Sequence, residues 1–162
     1  MKNIFKKTLF IGLVASSFSV FAYNGADNSG FMPTVQVKKN VMEVVNHSQN
    51  WKQDVLTGAH GQVVMMSISP ETNPKNEVGF EVHEGFDQII YVTEGSAVVI
   101  TGEKNSETVN TLSTGDMVVI PADTRHNVIN VNDDSALKIL SFYSENDTKA
   151  DKAYPTLASM YH

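Results

Sequence analysis

The residues best suited to chemistry are Glu81 and His83, which stand two positions apart. On an extended strand, side chains two residues apart leave the same face. A carboxylate and an imidazole on one face can share a single metal ion. After a glycine-containing turn, Gln88 begins an alternation of polar and apolar residues that stops at Glu94, as in a half-buried strand. The sequence therefore predicts a short metal-binding strand and a second strand that starts at Gln88.

The elements that must position these residues are short strands separated by turns. No segment shows a convincing amphipathic helix, and the valine-rich residues 35–45 favour one or two short strands. A succession of short strands with Gly, Pro, Asn and Asp between them indicates an all-β sandwich or barrel. Further strands are predicted over residues 62–69, 97–101, 107–112 and 136–143, with a hairpin-like unit over 115–130.

The spacing within residues 79–95 and 115–130 resembles that of the cupin family, and of small bacterial cupins in particular. The second cupin motif has Gly, Pro, Gly, His and Asn at fixed spacing, and Gly115, Pro121, His126 and Asn130 match four of these positions. Asp123 replaces the middle Gly, and because Asp tolerates unusual turn backbone, we expect this turn to persist. The resemblance implies one all-β barrel of the jelly-roll, or double-stranded β-helix, type.

The resemblance also implies a divalent metal site formed by Glu81, His83, Gln88 and His126. Glu81 occupies the place of a usual His and Gln88 that of the usual Glu, so the ligand set keeps one carboxylate charge. Such donors suit Mn, Fe, Zn or Ni. Gln88 could instead bond a metal-bound water or the substrate, and Glu81 could then act as a catalytic general base. Alternatively, Glu81, His83 and His126 could bond one another without a metal.

Other polar residues near the two motifs have structural interpretations. Arg125 should face away from the site if His126 faces inward, and we expect it to form an ion pair. Asn130 should fix a turn or strand end. Asp87 is expected to be solvated, and His60 is expected to lie in a surface turn.

The N terminus has the pattern of a signal peptide over residues 1–22. Three lysines precede a short apolar run, and small residues lead to a predicted cleavage site after Ala22, so we expect a periplasmic or secreted protein. The apolar run is too short for a membrane span, so no stable membrane insertion is expected after cleavage. Loss of three lysines would change the formal net charge from −6 to −9, which argues against nucleic acid as a partner.

The rest of the chain divides into an N-terminal leader and arm (23–60), a cupin barrel (61–145) and a C-terminal tail (146–162) whose first residues are expected to fray. Because the chain contains no Cys, no disulfide can hold the fold. The family resemblance implies a homodimer, and the valine-rich arm is the segment expected to contact the second copy.

Three functions fit this reading. The first is a metal-dependent enzyme acting on a small, non-phosphorylated molecule, of dioxygenase, isomerase or lyase type. The second is a non-catalytic periplasmic protein that binds a sugar or an acid, and the third is a structural or metal-sequestering barrel. The two-His, one-carboxylate pattern favours oxygen chemistry, whereas export favours manganese or zinc. The fold alone does not choose among these functions.

Overall fold

The structure is a computed structural model, and it describes residues 34–70 and 76–161. The predicted signal peptide and cleavage site lie outside these residues. The described chain contains the α-helix α1 (Val41–His47), a short 3-10 helix (Leu157–Tyr161) and strands β1 (Lys52–Gly58), β2 (Gly61–Ile68), β3 (Gln88–Glu94), β4 (Ser96–Thr101), β5 (Thr108–Ser113), β6 (Met117–Ile120), β7 (His126–Asn130), β8 (Leu137–Tyr143) and β9 (Ala153–Tyr154).

The described strands form two antiparallel sheets, which confirms the predicted all-β class. One sheet has six strands in the order β6-β3-β8-β2-β1-β9, and the other has three in the order β5-β4-β7. Alternate residues point between the sheets, where Ile90, Val99 and Ile139 are fully buried in the main apolar core. The predicted strand from Gln88 to Glu94 is observed with those bounds as β3.

Strand β2 has two apolar faces, as its sequence predicts. Met66 packs in the main core, whereas Met65 points to the opposite face and joins a second buried cluster with Val45 and Leu140. Both methionines are at least 98% buried, and packing is therefore their role. The second cluster exists because helix α1 covers this part of the outer sheet face.

The prediction of strands over the whole valine-rich segment is wrong, because residues 41–47 form helix α1. Val41, Val44 and Val45 are spaced by three and four positions, which places them on one helical face. That face packs against the outer side of the sheet. Val35 and Val37 precede the helix and are 93% and 73% exposed. Among the described helices, none is long and apolar enough to cross a bilayer.

The barrel sheet extends beyond the predicted barrel boundaries on both sides. Strand β1, within the predicted arm, pairs along β2, and β9, within the predicted tail, pairs with β1. The expectation that residues 146–152 fray is wrong. Their backbone is held by polar side chains of β1 and β2, as when the Oε1 atom of Gln62 accepts hydrogen bonds from the N–H groups of Asp147 and Thr148 at 3.0 and 2.9 Å.

Candidate metal centre

A single backbone bridge brings Glu81 beside His126. The N–H of each residue donates to the carbonyl oxygen of the other, at 2.9 and 3.0 Å. The predicted extended strand around Glu81 is reduced to this bridge, but the bridge is sufficient because directly opposed residues direct their side chains to the same face. The backbone N–H of Asp123 then fixes the carbonyl of His83 at 2.9 Å, so the two sequence motifs hold one another.

Three of the predicted ligands converge. The Oε1 atom of Glu81 lies 3.4 Å from the Nε2 atom of His83 and 3.4 Å from the Nε2 atom of His126. Ligand atoms of these three residues all lie within 4.8 Å of one another. Two imidazole nitrogens and a carboxylate oxygen at these separations can coordinate one transition-metal ion.

Buried hydrogen-bonding atoms without a partner also occur in these two histidines and in Gln88. Among the described residues, four buried side-chain atoms have no hydrogen-bond partner, and three of them are the Nε2 atoms of His83 and His126 and the Oε1 atom of Gln88. The fourth is Oδ1 of Asn146. A buried acceptor without a partner costs about 1–3 kcal/mol. Two such nitrogen atoms beside one carboxylate therefore fit a bound cation.

Gln88 is oriented by its amide nitrogen. It is 2% exposed, and its Nε2 atom donates to the hydroxyl of Ser141 at 3.2 Å and to that of Tyr143 at 3.0 Å. These two bonds leave Oε1 as the free group, which is the atom that a metal ion or a metal-bound water would contact.

The Nδ1 atom of each histidine ring, on the side away from Glu81, also lies near an oxygen atom. The Nδ1 atom of His126 lies 2.8 Å from the carbonyl oxygen of Thr124, which places the ring proton on Nδ1 and leaves Nε2 as an acceptor. The Nδ1 atom of His83 faces the Oδ1 atom of Asp147 at 3.4 Å. Sequence reasoning missed Asp147, and no motif or spacing connects it with His83.

The electrostatics of the site favour an ionised Glu81. In the metal-free protein, burial raises its pKa, but interactions with the neighbouring imidazole groups of His126 and His83 and the positive charge of Lys52 outweigh burial and lower the pKa to about 2. A carboxylate with so low a pKa is a weak base and a stable anionic ligand. Metal ligation is thus the role that this environment favours for Glu81, and its role as a catalytic base stays a prediction.

Two aromatic rings pack against His83. Phe86 stacks on His83 with ring centroids 5.0 Å apart, and Tyr143 meets the same ring edge-on at 5.1 Å. Burial and the charges of Asp147 and Glu81 raise the pKa of Tyr143, so its hydroxyl remains neutral. The side chain of Glu81 is 32% exposed, whereas those of His83 and His126 are 8% and 0% exposed. Solvent therefore reaches the centre from the Glu81 side.

Most of the structural interpretations of the neighbouring residues are confirmed. Asp123 has a φ of 61° and accepts a hydrogen bond from Gly85, so the motif turn persists without its usual Gly. Arg125 lies 3.6 Å from Glu107 and stacks on a phenylalanine ring. Asn130 bonds the carbonyls of Ile68 and Ser135.

The remaining two predictions are also confirmed. His60 is exposed in the turn between β1 and β2, as expected. Asp87 is exposed as well, and it makes one contact that the sequence did not indicate. Its carboxylate accepts a hydrogen bond from the N–H of Ala122 at 2.8 Å and so links the two motif loops.

One cavity lies away from these residues. It has a volume of about 770 Å³, and Trp51, Pro155, Leu157 and Tyr161 contribute to its lining. None of the candidate ligands lines it, and neither does any of the buried polar atoms without a partner. The cavity therefore supplies no chemistry comparable with that of the metal centre.

The paired sheets and the converging histidines define a cupin. Residues 71–143 match the family model for the cupin domain. The crystal structure of BH2720 from Bacillus halodurans superposes with a TM-score of 0.69 and 28% identity, covering 82% of this chain and 96% of that one. The chain belongs to the cupin superfamily, and its described residues form one jelly-roll barrel.

Two relatives are similar in sequence. Uncharacterized protein L612 of Acanthamoeba polyphaga mimivirus is 36% identical over 108 residues, which are 67% of this chain and 64% of the relative. Uncharacterized protein YrkC of Bacillus subtilis is 28% identical over 69% of this chain and 63% of the relative. The chain thus spans somewhat less than two thirds of the length of either relative.

Proposed function

We propose that this protein is an exported, metal-dependent enzyme that acts on a small, non-phosphorylated molecule. The observation that carries the proposal is the convergence of buried lone pairs without partners. The Nε2 atoms of His83 and His126 each lie 3.4 Å from the Glu81 carboxylate, and Oε1 of Gln88 is a third buried acceptor without a donor. A divalent transition metal such as Mn, Fe, Zn or Ni satisfies such a donor set.

When bound, the ion would supply Lewis acidity and coordination positions for a small molecule or for oxygen. Two neutral histidines and one carboxylate would leave a divalent site with a net charge of about +1, which favours an anionic or polarisable oxygen ligand. The chain's own residues would hold the ligand atoms in place and, through Phe86 and Tyr143, exclude water from the histidine side. Substrate would approach from the more exposed Glu81 side.

The preference for a non-phosphorylated substrate is supported by how two cations are used. Phosphate recognition usually recruits Arg or several Lys. Arg125 is engaged with Glu107 and the carbonyl of Gly102, and Lys52 is paired with Asp147. Both therefore already neutralise or bond other groups of the protein.

Metal analysis of the untagged, purified protein tests the proposal directly. We expect about one transition-metal ion per chain after dialysis, measured by elemental mass spectrometry. His126→Ala and Glu81→Ala should each lose most of this metal, because each removes one of the converging donors. His60→Ala is the matched control, since it removes an exposed histidine from the turn between β1 and β2.

Two outcomes would contradict the metal site. One is a folded wild-type protein that retains no metal from a Mn, Fe, Zn or Ni mixture, and the other is a His126→Ala variant that loads as much as His60→Ala. If metal binds, oxygen uptake and product formation with a panel of sugars, sugar acids and phenols test catalysis. Binding without turnover would favour the non-catalytic or metal-sequestering alternatives.

Export and dimerisation are part of the proposal and are tested separately. The support for export is the signal-peptide pattern of residues 1–22. Expression of the full chain in a bacterial host, followed by fractionation and intact-mass measurement, should find a periplasmic protein that begins at Tyr23. Light scattering of the same sample should give twice the chain mass if the protein is a homodimer. A cytoplasmic protein that retains Met1, or a monomeric mass, would contradict the respective expectation.

A further inference from the structure

Two buried charged side chains, Asp147 and Lys52, lie on the side of His83 that faces away from Glu81. Asp147 places one carboxylate oxygen 3.4 Å from the Nδ1 atom of His83, and its other oxygen accepts a hydrogen bond from the ammonium group of Lys52. The side chains of Lys52 and Asp147 are 3% and 10% exposed. Burying two charged groups is unfavourable unless they pair well. Contact with solvent therefore does not explain why Lys52 and Asp147 occupy these buried positions.

Hydrogen bonds with strands β1 and β2 hold the tail so that Asp147 lies beside His83. The side chain of Gln62 accepts hydrogen bonds from the N–H groups of Asp147 and Thr148 and donates to the carbonyl of Thr148 at 2.9 Å. Further along, Asp54 accepts a hydrogen bond from the N–H of Asp151 at 2.8 Å, and its own N–H donates to the carbonyl of Lys152 at 2.8 Å. Strands β1 and β2 thus fix the backbone at Asp147 and Thr148, and again at Asp151 and Lys152 further along the tail.

The two histidines of the centre therefore have different support. His126 is held through a neutral carbonyl, two residues away in the same motif. His83 faces an anionic carboxylate from the tail, 64 positions further along the chain. A carboxylate beside Nδ1 favours the proton on that nitrogen, orients the ring and makes Nε2 a stronger metal donor. Lys52 balances the charge that the carboxylate brings into the interior.

We propose that Asp147 is a positioning residue of the metal centre, which holds His83 with its Nε2 atom directed at the ion and thereby sets metal affinity. The inference rests on the proposed metal site, and it extends that site to the tail, which lies outside the matched cupin domain. Loss of such a carboxylate typically weakens metal binding by about 10-fold to 100-fold. Asp147 itself touches neither the ion nor a substrate.

The test compares Asp147→Asn with Asp151→Asn by titration with Co²⁺ and with Zn²⁺ in a chelator competition. Both substitutions remove one negative charge from the same tail, but the side chain of Asp151 is exposed. Asn at position 147 keeps an acceptor oxygen for Lys52, so the fold should persist. We expect the Kd to rise about 10-fold to 100-fold for Asp147→Asn, with a changed Co²⁺ absorption band, and to stay within about 2-fold for Asp151→Asn.

A second measurement does not depend on any variant. In the Zn²⁺-loaded wild type, the proton on Nδ1 of His83 should exchange slowly with solvent, because it lies between the ring and the Asp147 carboxylate. The inference is overturned if that proton exchanges as fast as that of an exposed imidazole, or if folded Asp147→Asn binds Co²⁺ as tightly as the wild type does. A wild-type protein that binds neither ion would refute the proposed metal site and the inference together. Tight wild-type binding with no effect of Asp147→Asn would refute the inference alone.

Discussion

Replacing Glu81 with Gln in the metal-free protein should remove a specific part of its acid sensitivity. The pKa of Glu81 falls from 4.5 to about 2 in the folded protein, because interactions with His126, His83 and Lys52 outweigh the effect of burial. A carboxyl group with a depressed pKa stabilises the fold above the unfolded-state pKa, and this stabilisation is lost as the pH falls through the folded-state pKa. For Glu81 that window extends from about 4.5 down to about 2.

The size of the effect follows from the same numbers. A fall from 4.5 to about 2, at 1.36 kcal/mol for each pH unit, corresponds to about 3.4 kcal/mol as an upper limit. The Glu81 side chain is 32% exposed, so solvent screens part of its interaction with the histidines. We therefore expect the carboxylate to contribute about 1 to 2 kcal/mol to the free energy of unfolding at neutral pH.

Urea unfolding in the presence of a chelator, at pH 6 and at pH 3, measures this contribution. Between these values the wild type should lose more than half of this contribution of about 1 to 2 kcal/mol relative to Glu81→Gln, because Gln cannot take up the proton and pH 3 still lies above the folded-state pKa of about 2. Glu84→Gln is the control, since Glu84 is exposed three residues further along. Equal losses in the wild type and in Glu81→Gln would refute the reasoning, as would an equal rescue by Glu84→Gln.

Two further substitutions test other parts of the site. Gln88→Leu removes the donors to Ser141 and Tyr143 along with the unpartnered Oε1 atom, so Zn²⁺ affinity should fall about 10-fold or more, while urea unfolding in chelator should show a loss of only about 1 to 2 kcal/mol. Unchanged Zn²⁺ affinity would argue against any contact between Gln88 and the ion or its water. Asp123→Ala should destabilise the protein by about 2 kcal/mol, because Ala disfavours a φ of 61° and loses the bond to Gly85, whereas Asp123→Gly should lose about 1 kcal/mol. Equal unfolding midpoints for the two variants would show that backbone conformation is not the reason.

Sequence periodicity was informative wherever neighbouring residues determine the structure. The alternation that starts at Gln88 predicts β3 with its observed bounds, since one face of that strand is buried in the core. The prediction was wrong at Val41, Val44 and Val45. Their β-branched side chains favour a strand, whereas their three-and-four spacing favours a helix. The spacing was the correct signal, because helix α1 lies on the sheet through this face.

The ligand set was predictable for a related reason. Glu81, His83 and His126 belong to two motifs whose spacing is fixed by turns. A chain with the same motif spacing is therefore expected to bring these three side chains together. Asp147 has no such local signal. Its position depends on hydrogen bonds between the tail and Gln62, which lies 85 positions earlier in the chain. Contacts between segments this far apart are set by the complete fold, which is why sequence reasoning expected a frayed tail.

The candidate ligands and the residues that support them lie in different parts of the chain, and this separation affects how metal affinity is set. The four candidate ligands all lie within residues 71–143, the part of the chain that matches the cupin domain. Lys52 and Asp147, which support His83 from behind, lie on either side of that part. Ligand identity limits which metals can bind, whereas the groups behind the ligands adjust their affinity and basicity. We therefore expect cupin domains with the same ligands but without a tail carboxylate at this position to bind the same ions more weakly, as Asp147→Asn would.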